Sequence, residues 1–254
     1  MIDTHCHIYV SQLENDIEEV LDRAENVGIS DILMPAIDFQ SIRQMDKLSH
    51  SSIRFHKMAG IHPCEIGESI SELAPKLEQE VHKSDIVGIG ETGLDYYWSK
   101  DFIGNQKESL RIHCQLAKET GKPIVLHNRD STLDLLEIIE EQQDGRLRGV
   151  WHCFTGNLDE GKRALDLNLM LGVGGVVTFK NAGVDKTVAD LPLPSMILET
   201  DAPYLAPAPY RGKRNEPSYI RQTAIKLAEV KDCSLEEIME VTTMNARSLF
   251  SMEA

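Results

Sequence analysis

The chain predicts an α/β fold, a single TIM-type (β/α)8 barrel over residues 1–254, on three observations. Eight short apolar runs with strand character recur, helix-period segments separate most of them, and polar residues able to bind metal end several of the runs. Short parallel strands joined by crossover helices form right-handed units, and eight such units close into a barrel of about 250 residues. An open doubly wound sheet is the alternative. It would spread the polar strand ends along one edge, whereas a barrel gathers them at one mouth.

The first strand is expected at 1–7, where Met1 and Ile2 lead into Asp3-Thr4-His5-Cys6-His7. Between it and the second strand, 29–38, Ser11 and Glu14 form a capping-box pattern. Leu13, Ile17, Val20, Leu21 and Ala24 then recur on one face of an amphipathic helix. A weaker helical stretch after Asp38 precedes the third strand, 54–63. A helix at 71–82 leads to the fourth strand, 86–95, and one at 106–120 to the fifth, 123–130. Helices at 131–141 and 158–167 flank the sixth strand, 149–156. The seventh strand, 169–178, is followed by a weaker helical stretch at 185–191 and then the eighth, 196–203. A helix at 217–230 precedes a terminal helical region. There Ser234 and Glu237 offer a second capping box, and Leu235, Ile238, Val241 and Leu249 mark a face that packs on the outside of the barrel.

Composition excludes several classes. With 41% hydrophobic and 26% charged residues and no low-complexity tract, the chain has the make-up of an ordered globular enzyme. The N-terminus lacks a basic segment followed by an apolar one, and no run approaches the roughly 20 apolar residues of a membrane span. A cytoplasmic protein with no membrane partner is expected. The cysteines Cys6, Cys64, Cys114, Cys153 and Cys233 are scattered without a CxxC pair, which argues for reduced thiols. A formal charge of −15 disfavours tight, sequence-independent duplex binding over a broad surface. Catalysis on phosphates stays open, since cations held among acidic residues reverse the local sign.

Six residues carry the chemistry: His5, His7, Glu91, His127, His152 and Asp201, each near the C-terminal end of a strand-like run. His5 and His7 are two apart, so on a strand both face one side and can grip one ion. HxH alone is a weak motif, and His127 or His152 taken singly reads as a core histidine bonded to a backbone carbonyl. The companions change this. Glu91 and Asp201 place carboxylates just after apolar strands, where uncompensated burial is costly. Imidazole with carboxylate suits several divalent ions, leaving Zn, Mn and Mg all open. Six donors suit two ions better than one, because a catalytic ion keeps a position free for water or substrate. We expect one ion on His5, His7, Glu91 and Asp201 and a second on Glu91, His127 and His152. Glu91 is then the bridge, and Asp201 is placed to accept the proton of the nucleophile. Two cations roughly 3.5–4 Å apart can activate a shared water and clamp the oxygens of a phosphoryl centre.

These motifs resemble those of the TatD family of metal-dependent hydrolases over nearly the whole chain. They are DTHCH at 3–7, GIHP at 60–63, GETGLDYY at 90–97, LHNRD at 126–130, HCFTG at 152–156, ETDAPYL at 199–205 and RGKRNEP at 211–217. TMNARSLF at 243–250 is similar to the family's terminal helix. The resemblance implies an amidohydrolase-like TIM barrel, divalent metal on the same six positions, and deoxyribonuclease activity on DNA ends or single strands. Glu91 holds the fourth-strand position where many other amidohydrolase-like barrels carry a carbamylated lysine, which leans the reading toward phosphoesters by analogy. Cys64 follows GIHP where some relatives have histidine, a departure that puts a role at that position in doubt.

His62 ends the third strand and is a further catalytic candidate, able to bind a substrate phosphate or orient water; the alternative is a histidine capping the backbone before Pro63. Arg129 can grip phosphate with both prongs or fix its loop by pairing with Asp130. Asp95 and Arg211 are weaker candidates, and Asn215 reads as turn-stabilising. Gly172-Val173-Gly174-Gly175 lacks phosphate-loop spacing and reads as a tightly packed strand. Tyr96, Tyr97 and Trp98 read as wall aromatics rather than a base-stacking platform.

The leading function is a two-metal phosphodiesterase acting transiently on DNA, with water as nucleophile. The same ligands also serve hydrolysis of amide, lactone or aminoacyl ester bonds, so they do not separate the two. A non-catalytic metal-binding scaffold is the third reading, disfavoured because a full ligand shell with a base has no use there. No obligate protein partner is implied.

Overall fold

The structure, a computed structural model, describes residues 1–98 and 100–253. Eight parallel strands follow one another in chain order: β1 (Ile2–Asp3), β2 (Asp31–Met34), β3 (Arg54–Ala59), β4 (Ile86–Asp95), β5 (Ile124–Arg129), β6 (Gly149–Trp151), β7 (Leu169–Val173) and β8 (Met196–Leu198). The ring closes between first and last. Thr4 N donates to Leu198 O (3.1 Å), Asp201 N to His5 O (2.8 Å) and His7 N to Ala202 O (2.8 Å). The open-sheet alternative is thereby excluded, and the fold is a TIM-type barrel.

Apart from β4, each strand stops short of the apolar run that announced it. Beyond those points the backbone still bonds across, as Cys6 N does to Leu33 O (3.1 Å) and His152 N to Leu126 O (3.1 Å), but without ladder regularity. His5, His7, His152 and Asp201 therefore stand in the mouth just past their strands, not within them.

Helices cover the outside: α1 (Ser11–Glu14), α2 (Ile17–Asn26), α3 (Phe39–Met45), α4 (Leu73–Val81), α5 (Ile103–Thr120), α6 (Thr132–Gln142), α7 (Leu158–Asp166), α8 (Val184–Asp190), α9 (Ile220–Lys231) and α10 (Leu235–Phe250). The first expected helix is broken in two. Asp16 leaves the helical region (φ −138°, ψ 33°), and both its carboxylate oxygens are gripped by Arg214 at 2.7 and 2.6 Å. The Ser11–Glu14 capping box does not form either, since Val10 takes the cap position without a side-chain bond. Reciprocal capping boxes occur instead at Asp38–Ser41 and Asn157–Glu160. At α10, Ser234 caps Glu237 N at 3.0 Å.

Two layers of core result. Ile2, Leu33, Met58, Val125, Val150 and Ile197 fill the barrel interior, and Ala246, Leu249 and Phe250 belong to the same cluster. The terminal helix thus does more than pack outside: its last turn plugs the barrel floor. A larger cluster, including Leu21, Leu77, Leu110, Leu136 and Leu227, lies between the strands and the helical jacket. Among the described residues no helix is long and apolar enough to cross a membrane.

Candidate metal centre

Glu91 lies at the centre of the mouth because β4 is irregular there. The β4–β5 register shifts between Ile89 and Thr92, and Glu91 N bonds instead to Ala36 O (2.9 Å) beyond β2. A bulge of this kind re-aims a side chain, here toward the mouth. Around the carboxylate the histidines divide by oxygen. Oε2 faces His5 Nε2 (3.2 Å) and His7 Nε2 (3.4 Å), while Oε1 faces His127 Nδ1 (3.0 Å) and His152 Nε2 (3.2 Å). Asp201 Oδ1 approaches the first pair, 3.8 Å from His5 and 3.7 Å from His7. The structure brings all six sequence-predicted residues together.

What lies behind the imidazoles decides which nitrogen lone pair points inward. Tyr9 donates its hydroxyl to Pro35 O (2.8 Å), so its oxygen accepts from His7 Nδ1 (3.0 Å) and leaves Nε2 free. Asp95 Oδ2 meets His127 Nε2 at 2.9 Å, freeing Nδ1. Glu199 Oε1 meets His152 Nδ1 at 3.2 Å and accepts from Cys153 N, freeing Nε2. Such outer partners orient metal-binding histidines and raise their basicity. The Glu199 carboxylate fits only because residue 172 is glycine: a Cβ there would stand 2.4 Å from Glu199 Oε2. Tyr9 and Glu199 escaped the sequence reading. Glu199 carried one available signal, a second acid two residues before Asp201 on the same strand end.

His62 is turned the other way. Its Nδ1 accepts from Cys64 N (3.1 Å), so the neutral ring carries its proton on Nε2, which faces His127 Nδ1 (3.3 Å) and Glu91 Oε1 (3.7 Å). Burial holds its pKa down at about 3, so the ring is neutral around pH 7. His62 therefore caps the backbone, the alternative weighed from the sequence, and turns its Nε2–H toward the site. A lone pair for a cation is not available on it.

The donor set fits divalent metal. Ligand atoms sharing an ion at about 2.1 Å stand roughly 3–3.5 Å from one another, which matches most of these spacings. Both ring nitrogens of His5 are buried without a hydrogen-bond partner, although Nε2 lies 3.2 Å from a carboxylate oxygen. Burial pushes the His5 pKa down, aided by the neighbouring His152, so the ring favours its neutral, coordinating form. Burial also pushes Glu91 up, but His152, His5 and His62 outweigh it and hold the carboxyl well below its ordinary range. His152, between Glu199 and Glu91, is raised against the lowering effect of burial. A proton and a cation compete for that Nε2 lone pair. Asp201 is raised by burial and adopts a left-handed backbone (φ 56°), a strained conformation of a type that gathers at functional sites.

Above these groups opens a cavity of about 680 Å³, lined by His7, His62, Glu91, His127, His152 and Asp201. His5 lies beneath it, fully buried. The structure also places the other residues singled out in the sequence. Asn215 is buried and donates to Thr200 O (2.8 Å) and Tyr204 O (2.6 Å), a loop-fixing role. Arg129 lines the cavity and makes no ion pair with Asp130; its guanidinium lies 3.7 Å over the Tyr97 ring. Arg211 stacks on Phe179 at 3.5 Å. Tyr96 is bonded to Asp134 (2.7 Å), Trp98 lines the cavity as its wall reading has it, and Tyr97 and Trp98 are also 55% and 68% exposed. Asp95 Oδ1 accepts from Tyr97 N and Trp98 N, and this turn swings both rings outward.

The chain is similar to known proteins over nearly its whole length. A family model described as TatD related DNase matches residues 2–251. The uncharacterized metal-dependent hydrolase YabD of Bacillus subtilis is 39% identical over 252 residues, covering 98% of each chain. The uncharacterized metal-dependent hydrolase YcfH of Escherichia coli is 34% identical over 259 residues, covering 100% of this chain and 97% of its own. The crystal structure of YJJV, a TatD homolog from Escherichia coli, superimposes with a TM-score of 0.91 at 28% identity, covering 100% of this chain and 98% of that one. With its barrel, its mouth of histidines around a shared carboxylate and matches over nearly its full length, the chain belongs to the TatD family of metal-dependent hydrolases.

Proposed function

We propose that this chain is a two-metal deoxyribonuclease that hydrolyses phosphodiester bonds at DNA ends or in single strands. The observation that carries the reading is the division of histidines between the two oxygens of Glu91, His5 and His7 on Oε2, His127 and His152 on Oε1. It supports a site for two divalent cations, of Zn, Mn or Mg type, which His5, His7, Glu91, His127, His152 and Asp201 would hold. When bound, such ions activate water at neutral pH and offset charge on phosphoryl oxygens.

The chain's own residues complete the chemistry. Asp201, its side chain 14% exposed at the cavity, accepts the proton of the attacking water, a role that suits a carboxyl raised by burial. His62 presents Nε2–H toward the cavity and donates to a phosphate oxygen. Asp95, Glu199 and Tyr9 hold three imidazoles in their coordinating orientation. The family description names DNase activity, and the net charge of −15 favours ends or single strands over an enveloped duplex.

Metal analysis with Glu91→Ala tests this. The wild type is expected to hold two ions per chain and release mononucleotides from single-stranded DNA until chelator is added. Glu91→Ala is expected to lose at least one ion and at least about a hundredfold in activity. Fewer than two ions in the wild type, or full activity in the variant, overturns the two-metal reading. Inertness on DNA with turnover of an amide, lactone or ester would move the substrate to that class.

A further inference from the structure

We propose that Trp98, Tyr97 and Arg129 form a nucleotide shelf on the rim of the cavity. Trp98 stacks a base of a single-stranded substrate, and Arg129, held flat on Tyr97, pairs with an adjoining phosphate. The inference deepens the phosphodiesterase reading and rests on it.

Two adjacent large aromatics are exposed here, Tyr97 at 55% and Trp98 at 68%. Burying a side chain of this size is worth about 1.5–3 kcal/mol, so their exposure gives up stabilisation that a bound partner can recover. Tyr97 is already used: the Arg129 guanidinium lies 3.7 Å over its ring, while the indole of Trp98 stands perpendicular to Tyr97, with the guanidinium 5.4 Å over one of its faces. One indole face thus stays available for a flat ligand.

Arg129 supplies the charge. Among the described residues it takes part in no salt bridge, its guanidinium resting on Tyr97 instead, and it is the one lysine or arginine lining the cavity. An unpaired guanidinium facing a cavity, on a chain of net charge −15, is matched to an anion, and its stacking on Tyr97 leaves the N–H edge free to donate.

A single carboxylate ties shelf and metal site together. Asp95 Oδ1 accepts from Tyr97 N (2.9 Å) and Trp98 N (3.1 Å), while Oδ2 meets His127 Nε2 (2.9 Å). The aromatic pair is therefore held at a set distance from the ligands around Glu91, as required to present a neighbouring phosphate. Base stacking tolerates any sequence, because every base has a π-face.

The chain has two tryptophans, and Trp151 is fully buried, so quenching of emission by a ligand reports Trp98. Titration of the metal-loaded enzyme with a phosphorothioate-linked oligothymidylate is expected to quench emission saturably; an abasic chain of equal length is expected to bind about tenfold more weakly. Trp98→Ala and Arg129→Ala are each expected to raise KM for single-stranded DNA about tenfold, with Trp98→Phe recovering most of the loss. Equal affinity for base-bearing and abasic chains, or unchanged KM in Trp98→Ala, overturns the shelf. If the wild type degrades DNA without these effects, the shelf falls and the nuclease reading stands. Base-dependent quenching without DNA cleavage leaves the shelf as a binding site and removes the nuclease reading.

Discussion

At the residue scale the chemistry depends on which nitrogen of each imidazole is free. His7, His127 and His152 each rest one nitrogen on an oxygen, from Tyr9, Asp95 and Glu199, and turn the other toward Glu91. His62 rests on a backbone N–H and so turns a proton inward. Glu199→Gln keeps the shape behind His152 and removes the charge. We expect a loss of roughly 10–100-fold in metal affinity and activity, the range for outer-shell partners. Competition with a chromogenic chelator measures it, and unchanged affinity would show that His152 is oriented without Glu199. The ligands themselves were legible in sequence, because histidine and acid at the ends of apolar runs carry a burial cost that needs an explanation. Their orienting partners were not. His152 and Glu199 are 47 positions apart, and no local pattern joins them.

At the element scale the pairing of β2 with β3 is locked at its lower end by Asp31. This fully buried carboxylate accepts from Arg54 at 2.8 and 3.0 Å and from Ser30 at 2.8 Å, and His56 lies 2.7 Å away. Burial pushes its pKa up, but hydrogen bonds from His56, Arg54 and Ser30 outweigh it and hold the carboxyl far below the ordinary range. A lowered native pKa contributes stability that is complete above the unfolded value of about 3.9 and is lost as pH falls through and below it. Asp31→Asn is expected to cost roughly 2 kcal/mol at neutral pH, the scale of charge-assisted bonds. The gap from wild type in urea midpoint should be steady above about pH 5 and shrink as pH falls below about 4. A gap independent of pH would assign the loss to packing instead. Element order and type were readable from periodicity, whereas boundaries were not. The break at Asp16 depends on Arg214, 198 positions away, and the shortness of β1 and β8 depends on how the barrel closes.

At the scale of the whole molecule the mouth is a cluster of like groups that the fold holds at close range. His5 stacks on His152 at 3.7 Å, with two carboxylates among the rings and both His5 nitrogens unpaired. A bound cation relieves that frustration, so metal and fold stability are linked. Chelation is expected to lower Tm as well as activity. At a hundred times Kd the ligand contribution is about 2.7 kcal/mol, which for a chain of this size corresponds to roughly 5–10 °C. Adding back divalent metal should restore both, followed by calorimetry and nucleotide release. An unchanged Tm in the stripped protein would separate the ions from the fold.

By itself the sequence determined a barrel of eight βα units, a mouth where six polar residues meet, and a family. These follow from periodicity, strand-end position and motif, all of which are written locally along the chain. Tertiary structure decided how the donors divide around Glu91, which imidazole faces which way, that α10 plugs the floor, and that Tyr97 and Trp98 stand open beside Arg129. Each of these depends on contacts between segments far apart in the chain, made only when the barrel closes and brings its strand ends within bonding distance.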